Sequence, residues 1–197
     1  RFTGQTGSFQ NIGTIAVEGG EIEIAQTVNN SVEGPIAGEI SLRNGVARFT
    51  APVTFNPQLT NEGILASTGG VNDLYGRISN TGAGKIAVTN QSVLIFHDDV
   101  TAEQGVITVF PGSSAIFLED LIVNANATLL ADLAGTNADT GFGQIEVVGA
   151  AQLGGGSLQV SLAEGFTPAL GDSFPLLASA GGIQGTLSLT QMPPLPP

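Results

Sequence analysis

The chain has no cysteine and no tryptophan, and its 197 residues include only one tyrosine and one histidine. Without cysteine there are no disulfides, no thiolate metal sites and no thiol catalysis. The compartment stays open, because exported proteins can lack disulfides. The shortage of aromatic residues also argues against a cleft lined by aromatic rings, which is the usual form of a sugar-binding site.

Basic residues are scarce as well, with five Lys and Arg against seventeen Asp and Glu, and none occurs after Lys85. Contact with phosphates needs clustered cations, so the net charge of -12 argues against nucleic acid and against an anionic membrane surface as partners. No apolar run reaches the 18 residues of a membrane span, so we predict no membrane insertion. The chain begins at Arg1, and we expect any export signal to lie outside this sequence.

Glycine and apolar residues are abundant, with 28 Gly and a hydrophobic content of 42%. Glycine together with β-branched residues favours short strands and tight turns. No stretch shows a sustained period near 3.6 residues, so we predict almost no helix.

One pattern occurs five times between Gly13 and Leu121: a glycine, two alternating apolar positions, a turn, and two more alternating apolar positions. The start-to-start spacings of 25, 25, 21 and 21 residues are typical of solenoid repeats. Another apolar residue follows fifteen or sixteen positions after each glycine, as Val28 does in the first copy and Val53 in the second. The copies begin at Gly13, Gly38, Gly63, Gly84 and Gly105.

Two folds fit this alternation. Asn44-Gly45 is a strong signal for a two-residue turn and is consistent with antiparallel hairpins. The third apolar position in every copy instead favours three short strands per coil. We therefore predict an all-β fold, a parallel β-helix (β-solenoid) of about five or more coils, in which Ile15, Ile40, Ile86 and Ile107 form a single interior file.

The pattern divides the chain into four parts. Residues 1–10 form an N-terminal arm or cap, and residues 11–123 form the solenoid repeats. The repeat decays after Leu121, so residues 124–190 are predicted to be a β-rich C-terminal solenoid or capping portion. Residues 191–197 are a proline-rich tail of extended polyproline type.

Stacking of the copies would bring several carboxylates together at one corner. In register, Arg77, Asp99 and Asp120 form a column, and Asp98 lies over Glu119. Like charges on neighbouring strands repel, and Arg77 can supply a counter-charge for Asp99. The remaining carboxylates are either solvated or ligands of a Ca²⁺ ion. The calcium candidates are Asp98, Asp99, Glu119 and Asp120.

Catalysis has few candidates. The single histidine, His97, precedes Asp98 and Asp99, and a His–Asp pair can act as a general acid or base. The carboxylates at positions 98, 99, 119 and 120 could serve glycoside hydrolysis. A sugar cleft, however, is usually lined by aromatic rings, and the chain has no Trp and only one tyrosine, Tyr75. We therefore predict that the protein is not an enzyme and has no cofactor other than the calcium alternative.

Two groups of motifs resemble known exported proteins. Residues 61–64 (NEGI) and 80–82 (NTG) resemble the coils of bacterial exported β-solenoids. Residues 142–149, 153–160 and 165–174, closed by the turn at 181–186 (GGIQGT), resemble autotransporter passenger repeats and PEP-CTERM-sorted surface proteins. The resemblance covers roughly residues 61–190 and implies a β-helix, export, and an extracellular or cell-surface location. The sorting tail and the outer-membrane barrel of those families have no counterpart in this sequence.

These observations favour an extracellular or cell-surface structural protein, either a stalk or matrix component with no specific ligand or a subunit that associates with itself end to end as a fibre or oligomer. The alternatives are an adhesin or carbohydrate-binding module for a surface polysaccharide and, less favoured, a polysaccharide-degrading β-helix enzyme. Solenoid ends carry unpaired backbone groups that are either capped or paired with another molecule.

Overall fold

A computed structural model describes residues 8–33, 36–49 and 58–192, and every strand in it belongs to a β-sheet. No helix of the length and apolarity needed to cross a membrane occurs in these ranges. The strands are β1 (Ser8–Asn11), β2 (Thr14–Glu18), β3 (Glu21–Ile24), β4 (Thr27–Asn30), β5 (Val32–Glu33), β6 (Ile36–Ala37), β7 (Glu39–Arg43), β8 (Val46–Phe49), β9 (Leu59–Asn61), β10 (Ile64–Ser67), β11 (Val71–Tyr75), β12 (Ile78–Asn80), β13 (Lys85–Val88), β14 (Val93–Phe96), β15 (Val100–Val109), β16 (Ser114–Phe117), β17 (Leu121–Leu133), β18 (Gln144–Val147), β19 (Ala151–Leu162), β20 (Leu177–Ser179) and β21 (Ile183–Gln191).

The chain winds as a parallel β-helix with three faces. The first face begins with β2 and β7, the second with β3 and β8, and the third with β1, β4 and β9. From β15 onward, one long strand bends at the corner and serves the third face and then the first. Seven complete coils follow β1, and the last part of β21 begins an eighth. Within the described ranges, the strand pairs of all three faces are parallel, which excludes the hairpin alternative.

The interior consists of continuous files of apolar side chains. Ile15 pairs in register with Ile40, and the same file continues through Leu65, Ile86 and Ile107. The predicted single interior file is therefore confirmed. On the second face, the rings of Phe96 and Phe117 stack with centroids 4.5 Å apart, and both side chains are fully buried. Since one coil alone encloses no core, stability comes from these contacts between coils.

The prediction for the closing position of the second copy was wrong. Val53 lies outside the described residues, and Leu59 occupies the file between Val28 and Ile78. The two 25-residue spacings also have different origins. The first coil has its extra residues around β5 and β6, after the third face, whereas the second has them between β8 and β9. Both insertions extend the basic 21-residue coil.

The sequence suggested that the repeat decays after Leu121, but in the structure the coils continue beyond this residue. The file of the first face continues through Leu129, Leu158 and Leu189, and that of the third face through Ala151 and Ile183. The spacing grows because loops interrupt the coils, for example between β17 and β18. Strand β17 runs through residues 123 and 124. Residues 1–7 of the predicted arm and residues 193–197 of the tail lie outside the described ranges.

The glycine that begins each copy permits the close approach of successive coils. A Cβ on Gly63 would lie 2.1 Å from the carbonyl oxygen of Gly38, and one on Gly105 would lie 2.1 Å from that of Gly84. Both contacts are too short for any side chain. At Gly13 a Cβ would meet nothing within 4 Å, because no described coil lies below it.

A ladder of asparagine amides crosses the corner between the third and first faces. Asn11 Nδ2 donates to Asn30 Oδ1 (2.8 Å), Asn30 to Asn61 (2.7 Å), and Asn61 to Asn80 (2.7 Å). Each Nδ2 also donates to a backbone carbonyl, as that of Asn80 does to the oxygen of Gln104 at 3.1 Å. All four side chains are buried, so the ladder satisfies polar groups that would otherwise destabilise the interior.

Candidate functional site

The four carboxylates proposed for calcium lie along one corner of the fourth and fifth coils, where most of them bind backbone amides. Asp98 Oδ2 accepts from the N–H of Gly76 at 2.8 Å. Asp99 Oδ1 accepts from the N–H of Asp120 at 3.3 Å, and Asp120 Oδ1 accepts from that of Ala150 at 2.8 Å. The side chain of Glu119 is exposed. These aspartates therefore tie each coil to a neighbouring one.

Within the described ranges, no three His, Asp or Glu side chains converge in a way that could hold a metal ion. The register predicted from the sequence is present, since Ile78, Val100 and Leu121 follow Arg77, Asp99 and Asp120 in one file. Calcium at Asp98, Asp99, Glu119 and Asp120 stays a prediction, and binding would have to compete with the amide contacts.

His97 is held by a residue that the sequence did not suggest. Its Nε2 lies 2.7 Å from Asp73 Oδ1, a carboxylate of the preceding coil, whereas the adjacent Asp98 accepts from the N–H of Gly76. The imidazole also stacks on Tyr75, with ring centroids 3.7 Å apart and planes 11° from parallel. Both contacts follow from stacking of the second face, which brings residues 22 and 24 positions apart together.

The stack of His97 and Tyr75 is extended by the guanidinium group of Arg48. The guanidinium carbon of Arg48 lies 3.7 Å from the centroid of Tyr75, and Arg48 Nε donates to the carboxylate of Glu21. The hydrogen bond to Glu21, with a smaller contribution from Tyr75, raises the pKa of Arg48 above its ordinary value, so the guanidinium is charged at any physiological pH. The faces of Tyr75 are occupied by Arg48 and His97. The tyrosine therefore does not offer a free ring face for stacking on a sugar.

The C-terminal end of the solenoid has a different character. The interior-facing side chains of β21 lack a covering coil among the described residues. Leu189 is 55% exposed, whereas Leu129, two coils earlier in the same file, is 4% exposed. Ile183 and Met192 are half exposed as well. A cleft of about 770 Å³ opens beside this edge. It is lined by Leu133, Leu158, Val160, Leu162, Pro168, Ala169, Leu170, Gly171, Asp172, Phe174, Leu176, Leu189 and Met192.

The far wall of the cleft is the loop between β19 and β20. Within this loop Phe174 packs edge to face against Phe166, with centroids 6.1 Å apart. Phe174 also packs edge to face against Phe142, which lies between β17 and β18, with centroids 5.7 Å apart. The carboxylate of Asp172 accepts from the N–H of Ala169 at 2.7 Å and closes the turn. The one acidic side chain lining the cleft is thus used by the loop itself, and the remaining lining is mainly apolar.

Sequence reasoning located the carboxylates and His97 but missed this end. The apolar alternation of β19 and β21 was recognised, yet nothing in the residues shows that no other described strand covers β21. The available signal was the file of Ile15, which leads to Leu189 once the longer coils are aligned.

Fold and site together define a parallel β-helix whose described C-terminal coil is open and apolar. Comparison of the chain with protein-family models, with curated proteins and with solved structures finds no match.

Proposed function

We propose that the protein is a structural subunit of an extracellular or cell-surface layer and that it associates end to end through the open coil. The observation that carries this proposal is the exposure of interior-type side chains at Ile183, Leu189 and Met192, next to the edge of β21 that no described strand pairs with. Exposed apolar surface and free strand edges favour pairing with another molecule. The location rests on the resemblance of residues 61–190 to exported β-solenoids.

A pair of matched substitutions tests the proposal. Leu189→Asp introduces a charge at the open coil, and Val148→Asp introduces the same charge on the side of the solenoid, at a residue that is also 55% exposed. Sedimentation velocity over a range of concentrations and electron microscopy measure the assemblies. We expect concentration-dependent rods from the unmodified protein and from Val148→Asp. For Leu189→Asp we expect at least a tenfold higher concentration for the same degree of assembly. An unmodified protein that stays monomeric throughout would contradict the proposal.

The second candidate is an adhesin or other binding module. A band of aliphatic side chains on the outer surface of the second face supports it, formed by Val71, Val93, Ile95, Ile116, Leu118 and Val148. Loss of association in Val148→Asp, with Leu189→Asp unaffected, would favour this function. Turnover of an acidic polysaccharide by the purified protein would instead support the enzyme alternative.

A further inference from the structure

We infer that the partner at the open end is a second copy of this chain, stacked head to tail so that its β1 and β2 continue the sheets of β21 in register. This inference rests on the proposed function and specifies its polarity and register. It places Phe9 of the second copy over Ile183 and Ile15 of the second copy over Leu189.

The strand edges at the two ends are of matching type. Among the described strands, β21 pairs only with β19, β1 only with β4, and β2 only with β7. The described residues therefore leave one edge of β21 and one edge each of β1 and β2 unpaired. The β21 edge belongs to the third and first faces, as do β1 and β2. The second face, where β20 ends the sheet, is not part of this contact.

The lengths of the two corners also match. Successive coils differ in the number of residues between the third-face file and the first-face file, with seven from Val100 to Ile107 and eight from Leu121 to Leu129. Where neighbouring corners differ, the pairing shows a register shift. Phe9 and Ile15 are six residues apart, and Ile183 and Leu189 are also six apart. The two ends can therefore pair across this corner without a bulge.

Among the described residues, Gly13 makes no close contact that would exclude a larger side chain. Gly38 and Gly63 occupy the same file, and a Cβ on either would collide with a carbonyl of the coil below. Gly13 has open space, and its φ is not in the left-handed region. In the proposed stack, Gly13 lies over Leu187 of the other copy, which gives it the same close contact as the other glycines of the file.

The distribution of charge disfavours an arrangement in which two copies meet through their C-terminal ends. Residues 1–85 contain seven acidic and five basic side chains, whereas residues 86–197 contain ten acidic and none that is basic. Contact between two C-terminal ends would bring together two regions of uncompensated negative charge. Contact of a C-terminal end with an N-terminal end avoids most of this repulsion.

The absence of cysteine makes a direct test simple, because each added cysteine is the only thiol in its chain. Gln10 and Gln184 are exposed, face outward and would lie next to each other between copies. Thr14 and Ser188 form a second such pair. In-register neighbours on paired strands are about 5 Å apart, within the range of a disulfide.

Proteins carrying the single substitutions Gln10→Cys and Gln184→Cys are mixed and oxidised under assembly conditions. Linked peptides are then identified by mass spectrometry. We expect the mixed disulfide to exceed either homodimer at least tenfold, and Thr14→Cys with Ser188→Cys to behave likewise. Gln10→Cys with Ser188→Cys is the out-of-register control and should give at least tenfold less product.

Assembly of the unmodified protein, measured by sedimentation, separates the two ways of failing. Rods accompanied by homodimers, or by equal yields from the out-of-register control, would overturn the head-to-tail register and leave the proposed function standing. Absence of any assembly would overturn both the register and the proposed function.

As an independent check, Gly13→Ala should leave the melting temperature of the dilute monomer unchanged and lower assembly at least tenfold. Unchanged assembly in Gly13→Ala would also overturn the register.

Discussion

Strand β1 with the first three complete coils and the three coils that follow them take the same path, but they are held together by different interior chemistry. At the corner between the third and first faces, one file reads Asn11, Asn30, Asn61 and Asn80 and then changes to Ala102, Val123 and Leu153. The early coils are joined there by directional amide bonds, and the later coils by apolar contact. A parallel β-helix can therefore change its interior chemistry between coils while its strands keep their pairing.

The largest expected effect is a difference in the free energy of unfolding between a substitution in an enclosed coil and one in the last described coil. Phe117→Ala removes a fully buried ring that stacks on Phe96, and we expect a loss of about 3–5 kcal/mol in the free energy of unfolding. Leu189→Ala in the last coil should cost less than about 1 kcal/mol in dilute protein, because that side chain is already half exposed. Urea unfolding measures both. Equal losses would show that the last coil is covered in solution.

The second effect concerns the glycine file. Gly63→Ala places a methyl group against the carbonyl of Gly38, so neighbouring coils must separate, and we expect a loss of about 2–4 kcal/mol. Gly13→Ala is the matched control, and thermal unfolding of dilute protein should show almost no change for it. Tolerance of Gly63→Ala would mean that the coils are packed less closely than the structure indicates.

The asparagine ladder should give the next effect. Asn61→Leu keeps the approximate volume but leaves Asn80 Oδ1 without its donor and removes an acceptor from Asn30 Nδ2. We expect a loss of about 2–3 kcal/mol, because buried polar groups without partners are destabilising. Thr60→Ala, at the outward-facing neighbour, should change stability by less than about 0.5 kcal/mol. A neutral Asn61→Leu, measured by chemical denaturation, would show that apolar packing alone is enough in the early coils.

The smallest effect belongs to the outer surface of the early coils. Arg48→Ala removes the contacts with Glu21 and Tyr75, and we expect a loss of no more than about 1 kcal/mol, because exposed ion pairs are screened by water and salt. Repeating the denaturation in high salt should reduce the difference. Arg43→Ala is the exposed control. A large loss that does not depend on salt would point to ring stacking as the main contribution of Arg48.

Particular residues show how far the sequence could predict the fold. The apolar files from Ile15 to Ile107 followed from alternation, because a side chain in a strand points to the opposite face at every step. The sequence analysis did not identify Leu59 as the residue that closes the second coil. The alternation within the strands does not determine how many residues lie at the corner between two faces, and this corner holds extra residues between β8 and β9. His97 was paired with Asp98 in sequence, but its partner in space is Asp73, and only the stacking of coils brings that carboxylate near.

The sequence by itself determined that the chain is all-β and winds as a solenoid, because glycine spacing and apolar alternation encode strands and coils locally. The tertiary structure decided which residues close each coil, that the winding continues past Leu121, and that the last of the described strands, β21, exposes interior-type side chains. The physical reason is that contacts between coils depend on loop lengths and on which strand is stacked last, and neither is encoded in the local alternation.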